Sequence, residues 1–129
     1  MKQAGVDFAI LGNAEKCCGD SARRLGNEYL YYMLAQENIE TLNNAGVKKI
    51  VTQCPHCLQA LSVDYPQMGG NFEVLHHSQL LAQLIAEGKL KPGASEYQQV
   101  TYHDSCYLGR YHGSTMRRAR YSLKERRSS

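Results

Sequence analysis

The chain has 129 residues, 43% of them hydrophobic and 21% charged, with five cysteines and no tryptophan. That is one domain's worth of sequence at near-average composition, which excludes wholesale disorder, and it has no apolar run long enough to cross a bilayer. The formal charge of +3 is misplaced as a guide to partners, because six basic side chains and one acid lie in residues 114–129, leaving nine basic against eleven acidic residues in 1–113. The body is therefore slightly acidic, and nucleic acid is not an expected partner.

Short apolar runs alternate with longer amphipathic ones. Val6–Leu11 predicts a buried strand. Asp20 is placed to cap a helix reaching about Asn44, with Leu25, Tyr29, Tyr32, Met33, Gln36, Ile39 and Leu42 at helical spacing. Gly26 is expected to break or bend its first turns, and Gly46 to stop it. Lys48–Gln53 predicts a second strand, and Leu58 to Tyr65 a short helix ended by Pro66 and Gly69-Gly70. Phe72–His76 predicts a third strand, Ser78 to Glu87 a third helix, and Gln99–His103 a fourth strand beyond the Pro92-Gly93 loop. The order β-α-β-α-β-α-β implies an α/β fold, a parallel sheet of about four strands covered by helices. Residues 1–113 form the expected domain. Residues 114–129 are expected to be a disordered basic tail, with too few apolar residues to offset the entropy of ordering them.

Four of the five thiols fall in two tight pairs, Cys17-Cys18-Gly19 and Cys54-Pro55-His56-Cys57. The fifth, Cys106, follows Tyr102-His103-Asp104-Ser105. The first segment carries no apolar signal region, so the expected compartment is the cytoplasm, where clustered thiols serve metal or redox chemistry rather than disulfides. Cys17 and Cys18 follow the first predicted strand, Cys54 closes the second and Cys106 the fourth. In a parallel sheet those C-terminal strand ends share one edge, where ligands bind. Cys54 and Cys57 also open a helix, where free N–H groups favour thiolate. Gly19 lets the backbone pass close to a bulky centre.

Thiolates are soft donors and select zinc, copper(I) or iron–sulfur clusters. Adjacent cysteines span one tetrahedral ion poorly, whereas a cluster offers neighbouring thiolates different irons. A redox-active CxxC pair, a closed zinc site and inert buried cysteines remain open from the residues alone. His76 and His77 at a strand end are expected to pack, one buried and one exposed. Lys16, Arg23 and Arg24 lie near the Cys-Cys loop and would favour thiolate there, although a solvated helix face is the simpler expectation for the arginines.

Glu15-Lys16-Cys17-Cys18-Gly19-Asp20, Thr52-Gln53-Cys54-Pro55-His56-Cys57 and Tyr102–Tyr111 together resemble the cysteine-rich CCG domain. That domain occurs in the cysteine-rich subunit of heterodisulfide reductase, in the iron–sulfur subunits of glycolate oxidase and anaerobic glycerol-3-phosphate dehydrogenase, and in many bacterial Fe–S oxidoreductases. The resemblance covers residues 6–111, and it is strongest to the Fe–S oxidoreductases linked to electron-transfer flavoprotein or membrane quinone. It implies a [4Fe–4S]-type cluster, some family clusters being noncubane, with Cys17, Cys18, Cys54 and Cys57 as ligands. Cys106 would ligate a second centre. It further implies electron transfer between a dehydrogenase or flavoprotein and a quinone or disulfide acceptor, with other subunits of a redox complex as partners. The expected location is the cytoplasm or, through partners, the inner face of the cell membrane. A non-catalytic interaction module, with zinc or without metal, is the alternative.

The family pattern places a leading cysteine well before the Cys-Cys-Gly, and usually runs twice. Only 16 residues precede Cys17, and nothing after Cys106 supplies a second Cys-Cys-Gly or CxxC. The expectation is a partial CCG domain: most of a first repeat and the entry to a second.

Overall fold

The computed structural model describes residues 1–93 and 105–111. Within them the architecture is mixed α/β. Helix α1 spans Asp20–Arg24 and α2 Glu28–Asn44; strand β1 spans Lys49–Thr52; helix α3 spans Pro55–Gln59; strand β2 spans Glu73–His76; helix α4 spans His77–Ala86. The two strands pair in parallel, with Lys49 opposite Glu73 and Thr52 opposite His76. The chain between them is helical, so β1, α3 and β2 form one crossover unit.

The expected helix over Asp20–Asn44 is two helices. Gly26 adopts φ +84°, a left-handed conformation that ends α1, and the Asn27 side chain then accepts from the Leu30 N–H to cap α2. Helix α3 begins three residues earlier than expected, because Pro55 suits the first helical position and Cys54 provides the extended residue before it. The helical path continues through a π-helical segment, Ala60–Asp64, and a 3-10 turn, Tyr65–Met68. The wider π segment re-aims the residues that follow it, Tyr65 among them.

One strand expectation ends differently. Val6–Leu11 forms no ladder: Phe8 and Ile10 are 46% and 76% exposed, and Ala9–Leu11 lie across a cleft from β1. Apolar composition in that run indicated capacity for burial, but a strand also needs an edge at bonding distance. The sheet among the described residues therefore has two strands rather than about four. The expected strand at Gln99–His103 and the basic tail at 114–129 lie outside the described residues.

The core joins α2 to the segment after α3. Tyr31, Ala35, Ile39, Ala60 and Tyr65 are buried together, with Cys18, Ala22, Leu61, Met68 and Phe72 packed against them. Ala35 and Ala60 are fully buried, and small side chains there let the two helical stretches approach closely. The opposite face of α2 carries Tyr29, Tyr32 and Met33 to the surface.

Candidate metal centre

The Cys17–Cys18 loop and the start of α3 meet in space. Cys57 Sγ donates to Cys18 Sγ at 3.3 Å, joining residues 39 apart in sequence. Both are half-buried, whereas Cys17, Cys54 and Cys106 are exposed. The hydrogen bond from Cys57 outweighs burial and, with the Asp20 backbone N–H, draws Cys18 down to about 6. Cys57 is pushed up by that same bond, then by burial and by the negative charge that Cys18 and Cys54 can carry. Cys18 is therefore the more acidic thiol of the pair.

Backbone geometry fixes the loop that presents Cys18. Gly19 sits at φ +85°, and a Cβ there would lie 2.9 Å from Tyr31 Cδ2, so only glycine allows the loop to press against α2. The Gly19 N–H points to Cys17 Sγ at 3.4 Å. Asn38 Nδ2 donates to the Cys17 carbonyl at 2.8 Å and to Tyr65 Oη at 3.1 Å, while Tyr65 Oη donates to the Cys18 carbonyl at 3.0 Å. Both carbonyls of the Cys-Cys pair are thus held by α2 and by the segment after α3. Asn38 and Tyr65 were not singled out from the sequence. The available signal was a polar residue on the buried stripe of α2, since Asn38 stands between Ala35, Ile39 and Leu42.

The CxxC side has its own support. The Cys54 N–H donates to Thr52 Oγ1 at 3.2 Å. His76, at the C-terminal end of β2, is buried; its Nε2 donates to the Gln53 carbonyl at 2.9 Å, while its Nδ1 accepts from Ser78 Oγ at 2.7 Å. The Gln53 carbonyl can only accept, so Nε2 carries a proton. His76 is thus the buried member of the histidine pair, and it steadies the residue before Cys54.

The basic side chains near the loop are paired. Arg23 meets Asp64 at 2.8 Å and stacks over the Tyr31 ring at 5.1 Å; Arg24 meets Asp20 at 3.4 Å and lies 5.1 Å from the Tyr107 ring; Lys16 pairs with Glu37. Arg23 and Arg24 therefore tie elements together instead of forming a merely solvated face. Tyr107 also packs on His56, ring centroids 4.2 Å apart, so the helical turn after Cys106 docks on α3. That brings the Cys106 segment to the CxxC side of the site.

Cys18 and Cys57 line a cleft of about 650 Å³, together with Asn38, Tyr65, β1 and Ala9–Leu11. A soft donor set beside a cleft of this size fits a polynuclear inorganic group. It fits a single ion less well: among the described residues no three Cys, His, Asp or Glu side chains converge on one point.

The geometry defines a cysteine-rich α/β domain whose two thiol motifs are folded together. Residues 1–62 match the profile of the cysteine-rich CCG domain, and that part of the chain belongs to that family. It is 59% identical over 113 residues to the EtfAB:quinone oxidoreductase of Syntrophomonas wolfei, a match covering 88% of this chain and 16% of that protein. It is 50% identical over 111 residues to the probable iron-sulfur-binding oxidoreductase FadF of Bacillus subtilis, covering 86% of this chain and 16% of that one. To one of the subunits of the dihydromethanophenazine:CoB--CoM heterodisulfide reductase of Methanosarcina mazei it is 40% identical over 119 residues, covering 88% and 29%. The chain spans about a sixth of the length of the first two relatives. No solved structure matches it significantly.

Proposed function

We propose that this chain is the iron–sulfur-binding redox module of a larger Fe–S oxidoreductase. The observation that carries the reading is the 3.3 Å approach of Cys18 to Cys57 beside a cleft, which unites Cys-Cys-Gly and CxxC at one place. Cys17, Cys18, Cys54 and Cys57 would hold a [4Fe–4S]-type cluster, and such a cluster would supply a one-electron donor and acceptor centre. This chain's own contribution is positional. Asn38 and Tyr65 hold the Cys17 and Cys18 carbonyls, and His76 holds the approach to Cys54. Cys106 would serve a second centre, its segment docked on α3 through Tyr107 and His56.

The named relatives favour partners within a redox complex, with a flavoprotein or dehydrogenase on one side and a quinone or disulfide on the other. No helix among the described residues is long and apolar enough to cross a membrane. Membrane contact, where it occurs, would then come through partners, from the cytoplasmic side. The unit responsible is residues 1–113, and truncation after Gly113 is expected to leave melting temperature and iron content unchanged.

Iron and sulfide analysis after anaerobic reconstitution, with EPR of the reduced protein, tests the reading. Cys54→Ala and Cys57→Ala should each lose most of the iron, and Cys106→Ala little. Stoichiometric zinc in a colourless protein, or full iron retention in Cys54→Ala, would overturn it.

A further inference from the structure

We propose that Cys18 and Cys57 form a reversible disulfide when the site holds no metal, and that this bond closes the site until a dithiol reductant reopens it. The second half rests on the iron–sulfur reading; the bond itself does not. The two sulfurs are 3.3 Å apart, so about 1.3 Å of approach brings them to a covalent S–S distance. Alternative pairings are less well placed. Cys17 and Cys18 are adjacent, with Cα atoms about 3.8 Å apart across a trans peptide, below the usual range for a disulfide. Cys54 and Cys106 are exposed, and Cys54 interacts with Cys57. The nearest rival is Cys54 with Cys57, across the first turn of α3.

The oxidant required is a low-molecular-weight disulfide. A thiolate of the pair attacks one sulfur of that disulfide, forming a mixed disulfide and releasing one thiolate. The second cysteine sulfur, giving up its proton, then displaces the other thiolate. One Cys18–Cys57 bond forms and the reagent's S–S bond breaks. Two electrons pass from the pair to the reagent, which leaves as two thiols carrying the two protons. The bond would tie the Cys-Cys-Gly loop to α3 and withdraw the two thiols that line the cleft. It would also keep both from overoxidation, while costing little rearrangement because Asn38, Tyr65 and Gly19 already set the loop against α2.

The test uses the full chain, stripped of metal under reducing, anaerobic conditions and then exposed to oxidised glutathione. Trypsin separates the motifs, because cleavage after Lys16, Arg23, Lys49 and Lys89 puts Cys17 and Cys18 in peptide 17–23 and Cys54 and Cys57 in peptide 50–89. The expected result is peptide 17–23 joined to 50–89, with two of the five thiols lost to alkylation. Cys18→Ser should abolish the joined peptide, while Cys17→Ser and Cys106→Ser should preserve it. An internal bond within 50–89, or glutathione retained as a stable mixed disulfide, would overturn the pairing. Iron uptake by the oxidised protein should then require dithiothreitol. Equal uptake without it would overturn the closure. If the fully reduced protein takes up no iron, the cluster reading fails, and the peptide map still decides the disulfide.

Discussion

Tyr65 donates its hydroxyl proton to the backbone carbonyl of Cys18 at 3.0 Å, from 47 residues further along the chain. Asn38 donates to the same tyrosine oxygen and to the Cys17 carbonyl. Neither side chain offers a sulfur, yet between them they decide where two sulfurs stand. Tyr65→Phe keeps the ring in the core and removes only the hydroxyl. It should cost about 1–2 kcal/mol, since a buried carbonyl and the Asn38 amide both lose a partner. Asn38→Ala should cost a similar amount, and the double variant less than the sum of the two, because both act on one network. Urea denaturation checks the stabilities. Iron content after reconstitution should fall in both single variants; unchanged iron with full stability loss would show the clamp to be structural only.

Gly19→Ala tests the close approach of the loop to α2. The new Cβ would meet the Tyr31 ring at 2.9 Å, and alanine would be held at φ +85°. The cost should be roughly 1–3 kcal/mol. Because Gly19 adjoins Cys18, the variant should also lose the short Cys18–Cys57 contact, which alkylation of both thiols at equal rates would report. A variant as stable as the parent would mean that the loop relaxes freely and that glycine is not required there.

The fold was only partly legible in the sequence, and the reasons are local. Helical spacing found α2, although of the positions that carried it only Ile39 and Leu42 are buried while Leu25, Tyr29, Tyr32 and Met33 are exposed, and glycine chemistry found the break at Gly26. The parallel pairing of β1 and β2 followed from a helical crossover between two short apolar runs. Val6–Leu11 misled, because composition does not say whether an edge lies within bonding distance. Among the thiols, the structure brings together Cys18 and Cys57, one from each motif, and paired cysteines at short spacing carry their chemistry in the residue type. The supports of the site were not legible. Tyr65 reaches Cys18 only because a π-helical segment re-aims the chain before it, and no residue pattern announces such a segment. The Arg23–Asp64 pair likewise depends on how α1 meets that segment.

His76 carries a different kind of support, a ring that bridges the end of β2 to the residue before Cys54. His76→Ala removes the donor to the Gln53 carbonyl and the side-chain cap of α4 together. The expected loss is about 1–2 kcal/mol. Cys54 and Cys57 should also become faster to alkylate, because the turn that opens α3 loses its anchor, while Cys106 should react as before. Unchanged rates at Cys54 and Cys57 would confine the role of His76 to capping α4.

Tyr31 gives the pH dependence. Its side chain is buried, its hydroxyl has no hydrogen-bond partner among the described residues, and burial followed by the negative charge of Asp64 pushes its pKa up to about 12. A phenol with a folded pKa above its unfolded value of about 10 holds its proton more tightly in the folded chain. Its contribution is therefore complete below about pH 10 and is lost as the pH rises towards the folded value. Stability should accordingly fall between pH 10 and about 12, and Tyr31→Phe should fall less steeply over that window, since it removes one proton-linked group. At pH 7 the same variant should lie within about 0.5 kcal/mol of the parent, because an unpartnered buried hydroxyl contributes little when it is replaced by hydrogen. The phenylalanine ring retains the packing against Gly19 and the face presented to Arg23. Urea denaturation of parent and variant at pH 7, 9, 10 and 11 makes the comparison. A loss at pH 7 as large as that of Tyr65→Phe would show that the Tyr31 hydroxyl has a partner, and parallel alkaline slopes would show that it does not titrate with unfolding.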